Sequence, residues 1–111
     1  MVSLKLLRNE EKSVLKQFSS RLRELLRDNL LIFKLFGSRA REEGTNDSDI
    51  DIMIVLSDYL LRNKVFDALF SIDPYNELNI SPVIYSREEY QKNLELESPF
   101  IMEIEKDGIS L

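Results

Sequence analysis

Two short stretches of this chain hold residue types whose spacing could do chemistry, Phe36-Gly37-Ser38-Arg39-Ala40-Arg41 and Ser48-Asp49-Ile50-Asp51. Asp49 and Asp51 open a run whose remainder, residues 52–56, is apolar and rich in β-branched side chains, which reads as a buried strand. Residues two apart on a strand share a face at a Cα spacing of roughly 6.6 Å, so both carboxylates can converge on one divalent cation or ion pair. Ile50, Ile52 and Ile54 then fill the core behind them. Gly37-Ser38 lies at the carboxyl end of a second strand candidate, Leu31 to Phe36, where a helix-like segment spanning 39–43 is expected to begin. A glycine lets a phosphate approach the backbone, and a serine at a helix start can cap the turn or hydrogen-bond a phosphate oxygen. Arg39 and Arg41 would oppose the macrodipole of a first helical turn, a cost that a bound anion offsets. The combination points to a polyphosphate held beside a metal ion.

Alone, neither stretch would carry that reading. Gly-Ser after a strand is commonly a simple turn, and an isolated Asp-x-Asp often belongs to a solvated loop. The order is what carries weight. Strand, Gly-Ser, basic segment, polar turn, Ser-Asp-x-Asp and buried strand follow one another within about 25 residues, each in the context that its chemistry needs.

This signature resembles that of the DNA polymerase β-like nucleotidyltransferases, in particular the minimal nucleotidyltransferase (MNT) proteins. Their pattern is Gly-Ser, Arg-Ala-Arg, then Ser-Asp-x-Asp before an apolar strand. The match is densest from Phe36 to Leu56, and weaker similarity runs through Ile80–Ser86 and Ser98 to Ile109. The resemblance implies a small mixed sheet flanked by helices, an α+β fold, with the whole chain as one nucleotidyltransferase domain. It implies that Gly37 and Ser38, with Arg39, Arg41 and Ser48 around them, hold a nucleotide, that Asp49 and Asp51 bind Mg²⁺, and that a nucleoside monophosphate passes from ATP to a hydroxyl. MNT proteins are commonly antitoxins that adenylylate a tyrosine of a helical HEPN ribonuclease toxin, so a HEPN-like partner or another protein acceptor is expected. Two positions depart from the family pattern. Glu42 stands where glycine is frequent, and the family's third carboxylate falls near Ser81, or near Asn79 if the register slips by two. Glu77 has the same parity and is the acid that could reach the site from the strand's start. A competing reading follows from that gap: a non-catalytic module of the same fold that neutralises its partner by contact.

Composition narrows the chemistry. The chain has 111 residues, enough for a single core but leaving no room for a second, substrate-holding domain. A partner chain or a homo-oligomer must then supply the acceptor surface, which disfavours a small-molecule nucleotidyltransferase of the aminoglycoside type. With no cysteine and no histidine, disulfides, thiolate metal sites and histidine-based catalysis are excluded. Oxygen-ligated Mg²⁺ or Mn²⁺ remains. No apolar run approaches a membrane span, and the start, Met1-Val2-Ser3-Leu4-Lys5, continues into charged residues rather than a signal peptide, so a cytoplasmic location is expected. The net charge of −5 is unevenly spread, with a balance of +6 over residues 1–41 and −11 over the rest. Lys12, Lys16, Arg21, Arg23 and Arg27 read as the solvated face of an amphipathic helix, or as a basic docking wall. An acidic chain without aromatic-basic interleaving argues against nucleic acid as the main ligand.

The positioning elements follow from periodicity. Val14, Leu15, Phe18, Leu22, Leu25, Leu26 and Leu30 space one apolar stripe along a helix over 10–30. Asp58 is placed to cap a helix over 59–71 with Leu61, Val65, Ala68, Leu69 and Ile72 buried, ended by Asp73-Pro74. A strand over 78–86, helices over 87–94 and 99–106, a stop at Gly108 and an edge strand over 109–111 complete the expectation. Pro99, Phe100, Ile101, Met102 and Ile104, with Tyr85 and Tyr90, are either core or a partner-binding face.

Overall fold

The structure, a computed structural model, describes residues 7–41 and 49–111. Its first helix, α1 (Asn9–Leu26), buries Leu15, Phe18, Leu22 and Leu26, a single stripe at three- and four-residue spacing. The five basic residues of that segment all lie exposed on the other face, as the amphipathic pattern requires. The helix ends four residues earlier than its apolar spacing suggests. Arg27 adopts a left-handed φ of 49°, a 3₁₀ turn follows, and Leu30 already belongs to β1 (Leu30–Phe36). Leu25, expected on the stripe, sits at its margin and is exposed.

Four strands form one mixed sheet in the order β3-β2-β1-β4. β2 (Ile50–Leu56) runs antiparallel to β1 and parallel to β3 (Ile80–Ser86), while the two-residue β4 (Ile109–Ser110) pairs antiparallel with β1. The parallel step from β2 to β3 needs a crossover, which α2 (Arg62–Ile72) supplies after a 3₁₀ turn capped by Asp58, whose carboxylate accepts from Leu60 N. β2 is central and covered on both faces, which explains why its sequence is a continuous apolar run rather than an alternating one.

On one face of the sheet, Ile50, Ile52, Ile54 and Leu56 of β2 pack with Phe33 and Leu35 of β1 against α1 and α2; Phe18 meets Phe33 edge to face at 5.4 Å. On the other, Met53, Val55 and Phe36 pack against Ile101 and Ile104 of α4 (Pro99–Asp107), with Tyr90 and Leu94 of α3 (Arg87–Glu95) at the margin. Local signals delimit these two helices. Ser86 and Glu89 cap α3 reciprocally, Pro99 opens α4, and Gly108 stops it by donating its N–H to Ile104 O at 2.7 Å. Ile101 and Ile104 of the carboxyl-terminal apolar cluster are therefore core residues. Phe100 remains partly exposed and packs edge to face on Phe36. No helix among the described residues is long and apolar enough to cross a membrane.

Candidate active site

Strand register brings the two sequence stretches together. Phe36, the last residue of β1, stands opposite Asp51 of β2, and Gly37 follows at once. A β-carbon built on Gly37 would fall inside the contact radius of Asp51 Oδ2 and lie 3.3 Å from Asp51 Cγ, and the backbone there has a φ of 76°. Glycine is thus required twice over, for the left-handed turn and for the carboxylate lying on its Cα. The chain then folds tightly back, with Ala40 N and Arg41 N both donating to Gly37 O at 3.1 and 3.2 Å. The expected helix start is realised within the described residues as this turn over 37–41; residues 42 and 43 lie outside them.

Asp51 is half-buried and Asp49, just ahead of the strand, is exposed. Burial pushes the Asp51 carboxyl above its ordinary value, the charge of Asp49 pushes it further, and the Arg41 guanidinium pulls the other way. The two carboxylates therefore feel one another, and Arg41 is near enough to stabilise the inner one. Ser38 is half-buried in the turn. A narrow cleft beside Gly37 is lined by Phe36, Arg41, Phe100, Glu103, Ile104 and Asp107.

Arg39 departs from the expected arrangement. Its side chain has no exposed surface, and its guanidinium donates to Glu11 Oε1 on the first turn of α1. The guanidinium is thus enclosed beside Glu11 rather than exposed at the open end of the sheet. Ser48 lies outside the described residues. Glu11 was not anticipated as part of this region. The available signal was its place at i−4 from Leu15 and i−7 from Phe18, an acid on the apolar stripe.

Opposite Asp51 on the parallel side stands Ser81. The loop leading there is held by Asp73, whose carboxylate accepts from Glu77 N at 2.9 Å and Leu78 N at 3.1 Å. Asn79 then takes a left-handed φ of 52° and its carbonyl accepts from Ile50 N at 3.0 Å, between the two aspartates. Because of that left-handed residue the strand starts at Ile80, and the parity that placed Glu77 on the site's face does not extend back to it. Among the described residues no third carboxylate joins Asp49 and Asp51 in a metal-holding group.

Further along the same face, Lys34 of β1 pairs with Glu105 of α4 at 3.5 Å, and Glu105 also accepts from the Tyr90 hydroxyl of α3. Burial pushes that hydroxyl well above its ordinary range, and its hydrogen bond to the Glu105 carboxylate adds to the shift. This network ties both helices to the sheet next to the site.

Residues 20–111 match the family model described as polymerase beta, nucleotidyltransferase, which takes in the Gly-Ser turn, the aspartate pair and all four strands. The chain belongs to this family. It is a minimal nucleotidyltransferase of the polymerase β-like superfamily, and the mixed sheet between helices is that fold. It is also 26% identical over 101 residues to a protein of Methanocaldococcus jannaschii named "Putative protein adenylyltransferase MJ0141", a match covering 88% of this chain and 95% of the relative. The family match begins within α1, so Glu11 lies outside it and Arg39 inside it.

Proposed function

We propose that this nucleotidyltransferase moves AMP from ATP to a hydroxyl on a partner protein, and that the partner is a HEPN-type toxin which it silences. The observation that carries the transfer is the Asp51 carboxylate lying on Gly37, which joins the metal-ligand pair to the phosphate turn in one place. The donor set fits Mg²⁺ or Mn²⁺: two carboxylates close enough that the charge of Asp49 raises the proton affinity of Asp51, a repulsion that a divalent cation relieves. When bound there, such an ion neutralises charge on the triphosphate. Ser38 and the Gly37 turn receive the β- and γ-phosphates, and Arg41 adds a cation on the same side. The acceptor oxygen bonds to the α-phosphorus as the bond to the bridging oxygen breaks; its proton goes to solvent and pyrophosphate leaves. A protein acceptor accords with the name of the archaeal relative.

Incubating the protein with ATP, Mg²⁺ and the purified product of the adjacent reading frame, then weighing that product, tests the reading. A mass gain of one AMP, absent with Asp49→Asn/Asp51→Asn, is expected; an unmodified but neutralised partner would contradict it.

One observation favours a second reading. Ser81 stands in register with Asp51 where a third acid is expected, and a hydroxyl there neither ionises nor serves as a base. In that case the protein is a contact-only module. Ser81→Asp would raise transfer by a weakened enzyme, whereas a pure binder would neutralise its partner equally well as Asp49→Asn/Asp51→Asn.

A further inference from the structure

We infer that Glu11 of α1 is a positioning residue for the nucleotide turn, acting through the enclosed guanidinium of Arg39. Four observations support this. Glu11 is itself buried although it sits in the first turn of a helix, a position where a glutamate is ordinarily solvated. One of its carboxylate oxygens is shared by two donors, the Arg8 backbone N–H at 2.8 Å and the Arg39 guanidinium, while the other faces Arg8 Nη2 at 3.4 Å. Arg39 follows Gly37-Ser38 directly, in a turn where Ala40 N and Arg41 N donate to Gly37 O. Arg39 lies 28 positions from Glu11 in sequence, so the contact is a tertiary tether and not a local cap.

The tether works by fixing direction. Arg39 drawn inward onto Glu11 sets the peptide planes of 37–40, and these determine where the Ser38 hydroxyl and the turn's backbone meet a phosphate. The carboxylate of Glu11 stays ionised because its hydrogen bonds from Arg8 and Arg39 and the Arg39 charge outweigh the burial that opposes ionisation. Its role is thus distinct from that of Asp49 and Asp51: it acts through Arg39.

This inference rests on the nucleotide reading for its functional consequence, and the experiment separates the two. Glu11→Gln keeps the side chain's shape and its bond to Arg8 N but removes the charge; Glu11→Met/Arg39→Met replaces the pair by apolar residues of similar volume and guards against simple misfolding. Affinity for Mg-ATP and for AMP is measured by calorimetry, and the amide signals of Gly37, Ser38 and Ala40 are followed by NMR. Both variants are expected to fold, to shift those amides, and to lose about tenfold in ATP affinity while AMP affinity changes less than about twofold, since only the triphosphate uses the turn. General loosening of the domain would instead weaken both ligands alike and would overturn the proposal, as would unshifted amides with wild-type ATP affinity. If the wild type binds no nucleotide, the functional reading fails, and the amides of the variants still decide whether Glu11 sets the turn.

Discussion

The two faces of the sheet are built from the same strands yet differ in what they bury. The face under α1 and α2 is closed by aliphatic and aromatic side chains, with Ile50, Ile52, Ile54, Leu22 and Val65 fully enclosed. The face under α3 and α4 buries Phe36, Met53 and Val55 but carries polar groups among them: Asp51 opposite Phe36, and Lys34, opposite Met53, with Glu105 and Tyr90. The difference shows a division of labour within single strands. Alternation lets β2 send Ile50, Ile52 and Ile54 to one face to hold the fold and Asp51 to the other, beside Gly37. One pair breaks the rule. Arg39 and Arg41 stand two residues apart in one turn, and the first is enclosed on Glu11 while the second is exposed within electrostatic reach of Asp51.

The largest effect is expected on the closed face. Ile52→Ala removes a fully buried side chain from the central strand and should lower stability by about 4 kcal/mol in urea unfolding. A loss under 1 kcal/mol would mean that this face is not the structural one. Next is the buried pair: Glu11→Ala leaves the Arg39 guanidinium without that carboxylate and should cost about 3 kcal/mol. Its pH dependence has a definite sign. The Glu11 carboxyl is held below its ordinary 4.5, so its contribution is complete above that value and is lost as pH falls through the lower folded value. The stability gap between wild type and Glu11→Gln should be flat above pH 4.5 and close below it, as chemical denaturation at stepped pH would show.

A smaller loss should come from the turn. Gly37→Ala places a methyl on Asp51 in a left-handed backbone and should lower stability by about 2 kcal/mol while abolishing Mg-ATP binding. Retained binding would separate the turn from the aspartates. The smallest is Ser86→Ala, which removes the hydroxyl that accepts from Glu89 N at 3.0 Å and should cost about 1 kcal/mol by thermal melting, without change at the site.

Much of this arrangement was legible in the sequence because it is local. The stripe of α1, the run of β2, the capping role of Asp58 and the stop at Gly108 all depend on neighbours within one or two turns. What escaped was non-local or depended on one backbone angle. The pairing of Arg39 with Glu11 escaped because nothing near Arg39 in sequence reveals Glu11, which reaches it from another element. The early end of α1 came from a left-handed Arg27, a residue type that gives no such signal, and left-handed Asn79 likewise removed Glu77 from the strand face.

The central claim, that Gly37, Ser38, Asp49 and Asp51 form one nucleotide site, is tested most directly by calorimetric titration with ATP, with and without Mg²⁺. Wild type and Asp49→Asn/Asp51→Asn would be compared, with thermal melts of each. Magnesium-dependent binding in the wild type, lost in a variant that melts at or above the wild-type temperature because two repelling charges are gone, is the predicted result. Equal ATP binding by both proteins, with or without the metal, would contradict it.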